Sequence, residues 1–436
     1  MNRRHLLIPL GLGLGAVFAV LALLGGQHAP VTAAPGAEWR VCAAGPPGCD
    51  YATVQGAVDG AQEGDVIKVA QGVYIDVHQR SGMTQVVILT KGVTLRGGYT
   101  TADGFLDPPD PEGHPTTLDA QQQGRVVVID RAGPTVEGFT ITGGAGYYSG
   151  GGVRMDDASG VVLRHNRIVG NSAEGDGGAI FVNSASGQIV GNEVVDNTAT
   201  WGAGLRIIND ADVAVVGNEI GDNVAQIAAG GIDVACCGGS TPLISQNVIV
   251  SNDGGGDGGG IRVQSTNARL VNNVVAVNQA VRGAGIMLSG SAGYPVSVTL
   301  VHNTLVGQGA DDEGVRAEAY VVASLVNNIV ADYATGITNT APASSTVSAD
   351  HTLFDGNGAD YGGGVSCTNQ ITGPPAFVSP ATGDYHITAA SAAIDAGADA
   401  GVSVDVDNQP RSDIPDAGAD EYRPPSYVYL PLVLRH

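Results

Sequence analysis

Four arginines occupy one recurring place in this chain. Arg154, Arg206, Arg262 and Arg316 each follow an aliphatic residue that is itself preceded by glycine, and the equivalent places between them hold Phe181, Asp233 and Met287. The whole chain has only 20 Lys and Arg against 43 Asp and Glu, so this is a concentration of positive charge in an acidic protein. A guanidinium offers a planar fork of donors that fits a carboxylate at two points. Two readings follow. The column could engage the carboxylates of an acidic sugar chain, with Arg154, Arg206, Asp233, Arg262, Arg316 and Trp201 as the contact residues. Alternatively it is an internal ion-pair ladder, because Asp233 stands between Arg206 and Arg262, and Asp156 and Glu318 fall in the next outward column.

A second column lies four residues before each aliphatic anchor: Ser149, Asp176, Trp201, Ala228, Asp257, Arg282 and Asp311. Asp176 and Asp257 are too many units apart to share an ion. Asp311, Asp312 and Glu313, or Asp405 and Asp407, have the oxygen ligands and short spacing that calcium takes, and solvated turns are the alternative at both places. No other metal or cofactor is indicated. Tyr147, Tyr148 and Trp201 are candidates for stacking on sugar rings, or simply exposed turn aromatics.

The elements that position these residues are read from a repeat. Its anchors are Val153, Ile180, Leu205, Ile232, Ile261, Ile286, Val315 and Ile337, at steps of 27, 25, 27, 29, 25, 29 and 22 residues. Paired asparagines keep the same beat: Asn166 and Asn171, Asn192 and Asn197, Asn218 and Asn223, Asn247 and Asn252, Asn273 and Asn278, with first partners alone at Asn303 and Asn328. A fixed period of this length marks a solenoid. Each unit holds short strands, as in Ala179 to Val182, Gly187 to Val190 and Glu193 to Asp196, with alternation such as Ile261 in, Arg262 out, Val263 in. Strands that bend at glycine and asparagine close one coil, and the next coil stacks on it at ~4.8 Å by parallel pairing. Asparagine tolerates the left-handed conformation at a bend and can form stacked amide ladders. The expected fold is all-β, a right-handed parallel β-helix with a short N-terminal capping helix, its hand taken from the usual chirality of parallel crossovers.

The repeat region, from Tyr51 to Ile394, resembles the pectin-lyase-like superfamily of right-handed β-helices. Within it, Gly177-Gly178-Ala179-Ile180 and the tetrapeptides Ile168 to Asn171, Val194 to Asn197 and Ile220 to Asn223 are similar to the two short motifs of polymorphic outer-membrane protein repeats. The superfamily includes polysaccharide lyases and hydrolases, which makes an enzyme acting on an acidic glycan the alternative function. A galacturonase-type site would need an Asn-Thr-Asp, paired aspartates, Gly-His-Gly and Arg-Ile-Lys in order, and only the pairs Asp156-Asp157 and Asp311-Asp312 occur. A calcium-assisted lyase would need clustered carboxylates with an Arg or Lys base on one sheet; Arg206, Asp233 and Arg262 are the nearest approach. No catalytic residue is therefore assigned.

Composition sets the frame. The 436 residues form one elongated body, and a formal charge of −23, with lysine only at Lys68 and Lys91, argues against nucleic acid as a partner. With aromatics at 5 %, Val, Ile, Leu and Ala must fill the interior, each buried aliphatic contributing ~1.5–3 kcal/mol.

Residues 1–33 carry Arg3, Arg4 and an apolar run from Leu6 to Leu24 and read as an export signal, cleaved after small residues near Ala33; an uncleaved anchor is the alternative. Residues 34–50 form a lead in which Cys42 and Cys49 are expected to close a small disulfide loop. Cys236, Cys237 and Cys367 leave a vicinal bridge and a long-range bridge both open. In the β-helix proper, 51–394, Val54, Ala57, Val58 and Ala61 fall on one face of an amphipathic helix that caps the first coil, and 100–115 is a surface loop. Residues 395–422, with Asp405 to Arg411 and Asp416 to Glu421, resemble the C-terminal signature of choice-of-anchor Q proteins, and 423–436 is an apolar tail, a sorting signal or a closing strand. The expected protein is a secreted or cell-surface, non-catalytic, monomeric β-helix associated with the cell envelope, in adhesion or glycan contact.

Overall fold

The computed structural model describes residues 36–235 and 239–424, with the side chains of Ala310 and Asp311 outside that description. The expected export segment, Cys236, Cys237 and most of the apolar tail lie outside the described residues.

The chain is a parallel β-solenoid. Every anchor pairs with the next: Val153 with Ile180, Ile180 with Leu205, and so on through Ile286 with Val315 and Val315 with Ile337. All eight anchors are fully buried. Glycine precedes each of them, apart from Ala179 before Ile180, because the stacked backbones leave no space: a Cβ on Gly204 would lie 2.4 Å from the Gly231 carbonyl oxygen, and one on Gly231 equally close to that of Gly260.

Each regular coil has three faces. After the anchor strand, such as Ile180–Asn183, the chain enters a second sheet through strands such as Ser186–Val190; among the described residues this sheet starts with Glu38–Val41 and has 13 strands. A third face is built from strands such as Arg167–Val169, Glu193–Val195 and Glu219–Gly221. The sequence repeat shows these three strands. The structure adds a fourth, a short parallel sheet containing Ala145–Gly146, Ser172–Ala173, Thr198–Trp201 and Val224–Ala228, at the corner before the next anchor.

The asparagines form two buried ladders, and their job differs from the expectation in one respect. The left-handed residues are those just before them: His165, Gln246, Asn272, His302 and Asn327 ahead of one ladder, Asp196, Asp222 and Ser251 ahead of the other. That residue makes the turn, which leaves the asparagine free to aim its carboxamide inward. In Asn218 the backbone N–H and Nδ2 both donate to Asn247 Oδ1, at 3.0 and 2.9 Å, while Nδ2 also donates to the Ile189 carbonyl at 2.8 Å. The pattern runs from Asn166 to Asn328 in one ladder and from Asn171 to Asn278 in the other. Each net bond stabilises by about 1 kcal/mol, and leaving such buried backbone groups unpaired costs more.

The capping helix is Val54–Gly60, with the Thr53 hydroxyl accepting from Gly56 N–H at 3.1 Å. Val54, Ala57, Val58 and Ala61 are all buried, as their spacing predicts. Beside it Cys42 and Cys49 form the expected disulfide, with Cα atoms 5.9 Å apart. At the other end, the hairpin of Phe377–Ser379 and Asp384–Ile387 is followed by an irregular run to residue 424 that folds back along the side of the solenoid.

Candidate functional site

The arginine column is real, and its guanidinium groups are spoken for. In register, Arg154 pairs with Phe181, Phe181 with Arg206, Arg206 with Asp233, Asp233 with Arg262, Arg262 with Met287 and Met287 with Arg316. Asp233 is fully buried between Arg206 and Arg262, the latter 3.2 Å away, and Arg206 also approaches Asp176 at 3.2 Å. Arg154 pairs with Asp156 and lies over the Phe181 ring, 5.1 Å from its centroid. Arg316 pairs with Glu313 at 2.8 Å and Glu318 at 3.4 Å. The geometry is the ion-pair ladder of the two alternatives. Removing one partner would leave a charge enclosed without compensation. Arg282 and Asp257, 2.6 Å apart, extend the lattice, and Arg282 reaches Glu318 at 3.2 Å. Arg282 escaped the pattern because it stands in the other column, where no arginine repeat marks it.

That other column is also in register: Ser149 with Asp176, Asp176 with Trp201, Trp201 with Ala228, Ala228 with Asp257, Asp257 with Arg282. It forms the corner where the short fourth sheet turns into the anchor sheet. Burial raises the Asp176 carboxyl above its usual range, and the Arg206 charge offsets part of that effect. Tyr147 and Tyr148 project from this corner, 63 % and 70 % exposed, with their rings 4.4 Å apart in an edge-to-face pair. Trp201 lies half-buried two coils further on, and Val224, Ile227 and Val281 continue an exposed apolar edge. Beyond them the corner opens into a depression of about 420 Å³ lined in part by Asp253, Gln279, Val281, Gln308 and Asp312. Of these, Asp312 stood among the calcium candidates, whereas Asp253, Gln279, Val281 and Gln308 were missed in the sequence because coils of unequal length break the column at this corner.

Of the calcium candidates, Asp405 has its oxygens committed to backbone donors: Oδ1 accepts from Asp407 N–H at 2.9 Å and Gln409 N–H at 2.8 Å. Asp407 instead meets His386. The imidazole of His386 bonds Asp407 and Asp384, each at 2.7 Å, with Asp420 close by. The hydrogen bond to Asp407, then that to Asp384, holds the ring protonated and pushes its pKa up to about 10. A metal ion there would compete with that proton, so the geometry fits an ion-paired imidazolium. At the other candidate place, Glu313 is engaged with Arg316 and with the Gly283 N–H at 3.2 Å. Among the described residues Cys367 is a free thiol, packed partly buried against the core.

The C-terminal run is pinned by buried charge. Arg411 donates to Asn272 Oδ1 at 2.9 Å, to the Gly418 carbonyl at 2.9 Å and to Glu421 at 3.1 Å. Glu421 accepts the N–H groups of Ser412 and Asp416, at 2.8 and 3.0 Å, and Asp416 accepts those of Asp395 and Tyr422, each at 2.7 Å. The run meets the solenoid at the left-handed residues before the first asparagine ladder. Gln246 donates to the Asp405 carbonyl, Asn272 to that of Val404, and Asn327 to that of Ala398. His302, fully buried, bonds the Asp416 carbonyl through Nδ1 and Asn327 Nδ2 through Nε2, which assigns its proton to Nδ1. Burial brings its pKa down to about 3 and keeps it neutral.

A family model described as "Right handed beta helix region" matches residues 116–258, and the fold is accordingly a right-handed parallel β-helix. No curated protein sequence matches the chain. Among solved structures, the pectate lyase Pel9A is similar at 14 % identity and a TM-score of 0.48, covering 89 % of this chain and 97 % of its own. An alginate lyase from Paenibacillus sp. str. FPU-7 is similar at 15 % identity and a TM-score of 0.35, covering 72 % of this chain and 96 % of its own. A rhamnogalacturonan lyase shows 11 % identity and a TM-score of 0.30, over 77 % of this chain and 87 % of its own.

Proposed function

We propose that this protein is an exported β-helix scaffold that contacts glycan at the cell envelope as a monomer and breaks no bonds itself. The observation that carries this reading is the exposed aromatic pair Tyr147 and Tyr148, set on a corner made rigid by the ladders beneath it, with Trp201 two coils away. Aromatic faces held at fixed spacing stack on sugar rings with little ordering cost. The Cys42–Cys49 disulfide suits an oxidising compartment, as the export signal of residues 1–33 requires. The arginine column, including Arg154, Arg206, Asp233, Arg262 and Arg316, borders this corner and holds it in shape. The segment 395–422, with its resemblance to choice-of-anchor Q proteins, fastens the solenoid's side, and we assign the apolar tail 423–436 to sorting.

The test is retention of purified protein on a panel of insoluble polysaccharides, run beside an assay for new chain ends on the same panel with calcium. Retention without new ends is expected, and Tyr147→Ala with Tyr148→Ala should abolish it. Release of unsaturated or reducing ends would replace this reading with a polysaccharide lyase or hydrolase.

A further inference from the structure

Charge on the corner narrows the ligand. On this face the guanidinium groups of Arg154, Arg206, Arg262, Arg282 and Arg316 each lie within ion-pair distance of a carboxylate. The partners are Asp156, Asp176, Asp233, Asp257, Glu313 and Glu318, and Arg125, whose Nε donates to the Ser149 carbonyl at 2.9 Å, brings the bases level with these six acids. Glu174, exposed at the corner, and Asp253 in the groove add further negative charge. A uronic-acid polymer laid here would meet like charge from the added acids and, apart from the buried Arg125, would gain a guanidinium only by stripping it from a buried or half-buried carboxylate.

The groups on offer suit a different ligand. Tyr147, Tyr148 and Trp201 present ring faces and edges, and Val281, 79 % exposed, leads into the groove. There Asp253, Gln279 and Gln308 bring carboxylate and carboxamide groups of the kind that bond vicinal hydroxyls. Gln308 Nε2 is held by the Val277 carbonyl at 2.8 Å, which fixes the side chain and leaves its Oε1 to accept from a ligand. From Tyr148 to the coil of Gln279 the corner climbs five strand spacings, about 24 Å. We infer that the ligand is an uncharged polysaccharide lying along the solenoid axis, from the aromatic pair to the groove at Asp253, Gln279 and Gln308. This rests on the glycan-contact reading above and adds the ligand's charge class and its track.

The experiment is calorimetric titration with neutral oligosaccharides of increasing length, from glucan, mannan and xylan, against polygalacturonate and alginate oligomers. At least one neutral series should bind, tightening with length until the track is spanned and then levelling, with little dependence on salt. Tyr148→Ala and Asp253→Ala, both at exposed or half-exposed positions, should each weaken the long oligomers by about tenfold. Short oligomers that seat at one end should be sensitive to only one of the two changes. Binding of the acidic oligomers alone, falling steeply with salt, would overturn the inference while leaving glycan contact intact. Binding by neither class would overturn both.

Discussion

One outward position of the third face can be followed through the solenoid, and its two halves are built for different surroundings. In the early coils the register brings together Arg167, Glu193 and Glu219. In the later coils the same position holds Val248, Val274, Thr304, Ile329 and Leu353. Arg167 and Glu193 pair with each other in the open, with 42 % and 37 % of their side chains exposed. Ile329 and Leu353 are fully buried, packed with Ile387, Ala393 and Ala417 of the C-terminal run. The parallel register is unbroken from one half to the other, although the strands that begin at Thr304 and Ile329 run on for 14 and 11 residues against three in the early coils. What differs is the cover, so the sheet's outer face is a site where a second layer either docks or does not. A strand with only its inner face buried alternates in polarity; one buried on both faces reads as continuously apolar, as Ile329 to Ala331 does.

The sharpest way to break this contrast is Arg411→Ala. It strands Glu421 in a buried place and removes the bond to Asn272, so docking of the C-terminal run should weaken by about 3–5 kcal/mol. Hydrogen exchange should then rise across 395–422 and the coils beneath, with the coils from Val153 to Asn223 unchanged. Equal loss of protection in the early coils would mean that the cover stabilises the whole rod.

Next in size is a matched pair on the shared position. Leu353→Ala should cost about 2–5 kcal/mol in denaturant unfolding, because it opens a cavity under the cover. Glu193→Ala, on the bare half, should change stability by no more than about 0.5 kcal/mol. Similar costs at both would show that the contrast has no energetic content.

The smallest expected effect is a pH limb confined to the covered half. His386 has its pKa raised from 6.5 to about 10 by Asp407 and Asp384, so its contribution is complete below pH 6.5 and is lost as pH rises through 10. Burial raises Asp405 and Asp416 to about 6, and their contributions have the same sign but are lost as pH rises through 6. His302, lowered to about 3, contributes above pH 6.5 and loses that contribution only in acid. Proteolysis of the C-terminal run should therefore accelerate near pH 10, and His386→Gln should remove that limb. A limb that persists in the variant would assign it elsewhere.

Much of the fold can be read in the one-dimensional pattern, and the reason differs by element. Anchors and asparagines repeat with the coil, so Ile232 and Asn247 announce their stacking partners Ile261 and Asn273. The short fourth sheet was hidden because strands such as Ser172–Ala173 are too brief to carry alternation. The arginine column was visible, but the choice between ligand stripe and ion-pair ladder was not. It depended on side-chain directions, above all on Asp233 being enclosed by Arg206 and Arg262. The aromatic pair stood out by type, while its exposure did not.

By itself the sequence determined the stacked coil, its register and its two amide ladders, because a repeated local choice of glycine, aliphatic and asparagine favours the same turn every time and each turn templates the next. Only the tertiary structure decided which outward faces meet water. That depended on Arg411, Asp416 and Glu421 closing on Asn272 and His302, contacts across more than a hundred residues that no local period encodes. Burial of a charge or exposure of a ring is a property of what lies opposite, and periodic spacing specifies only what lies above and below.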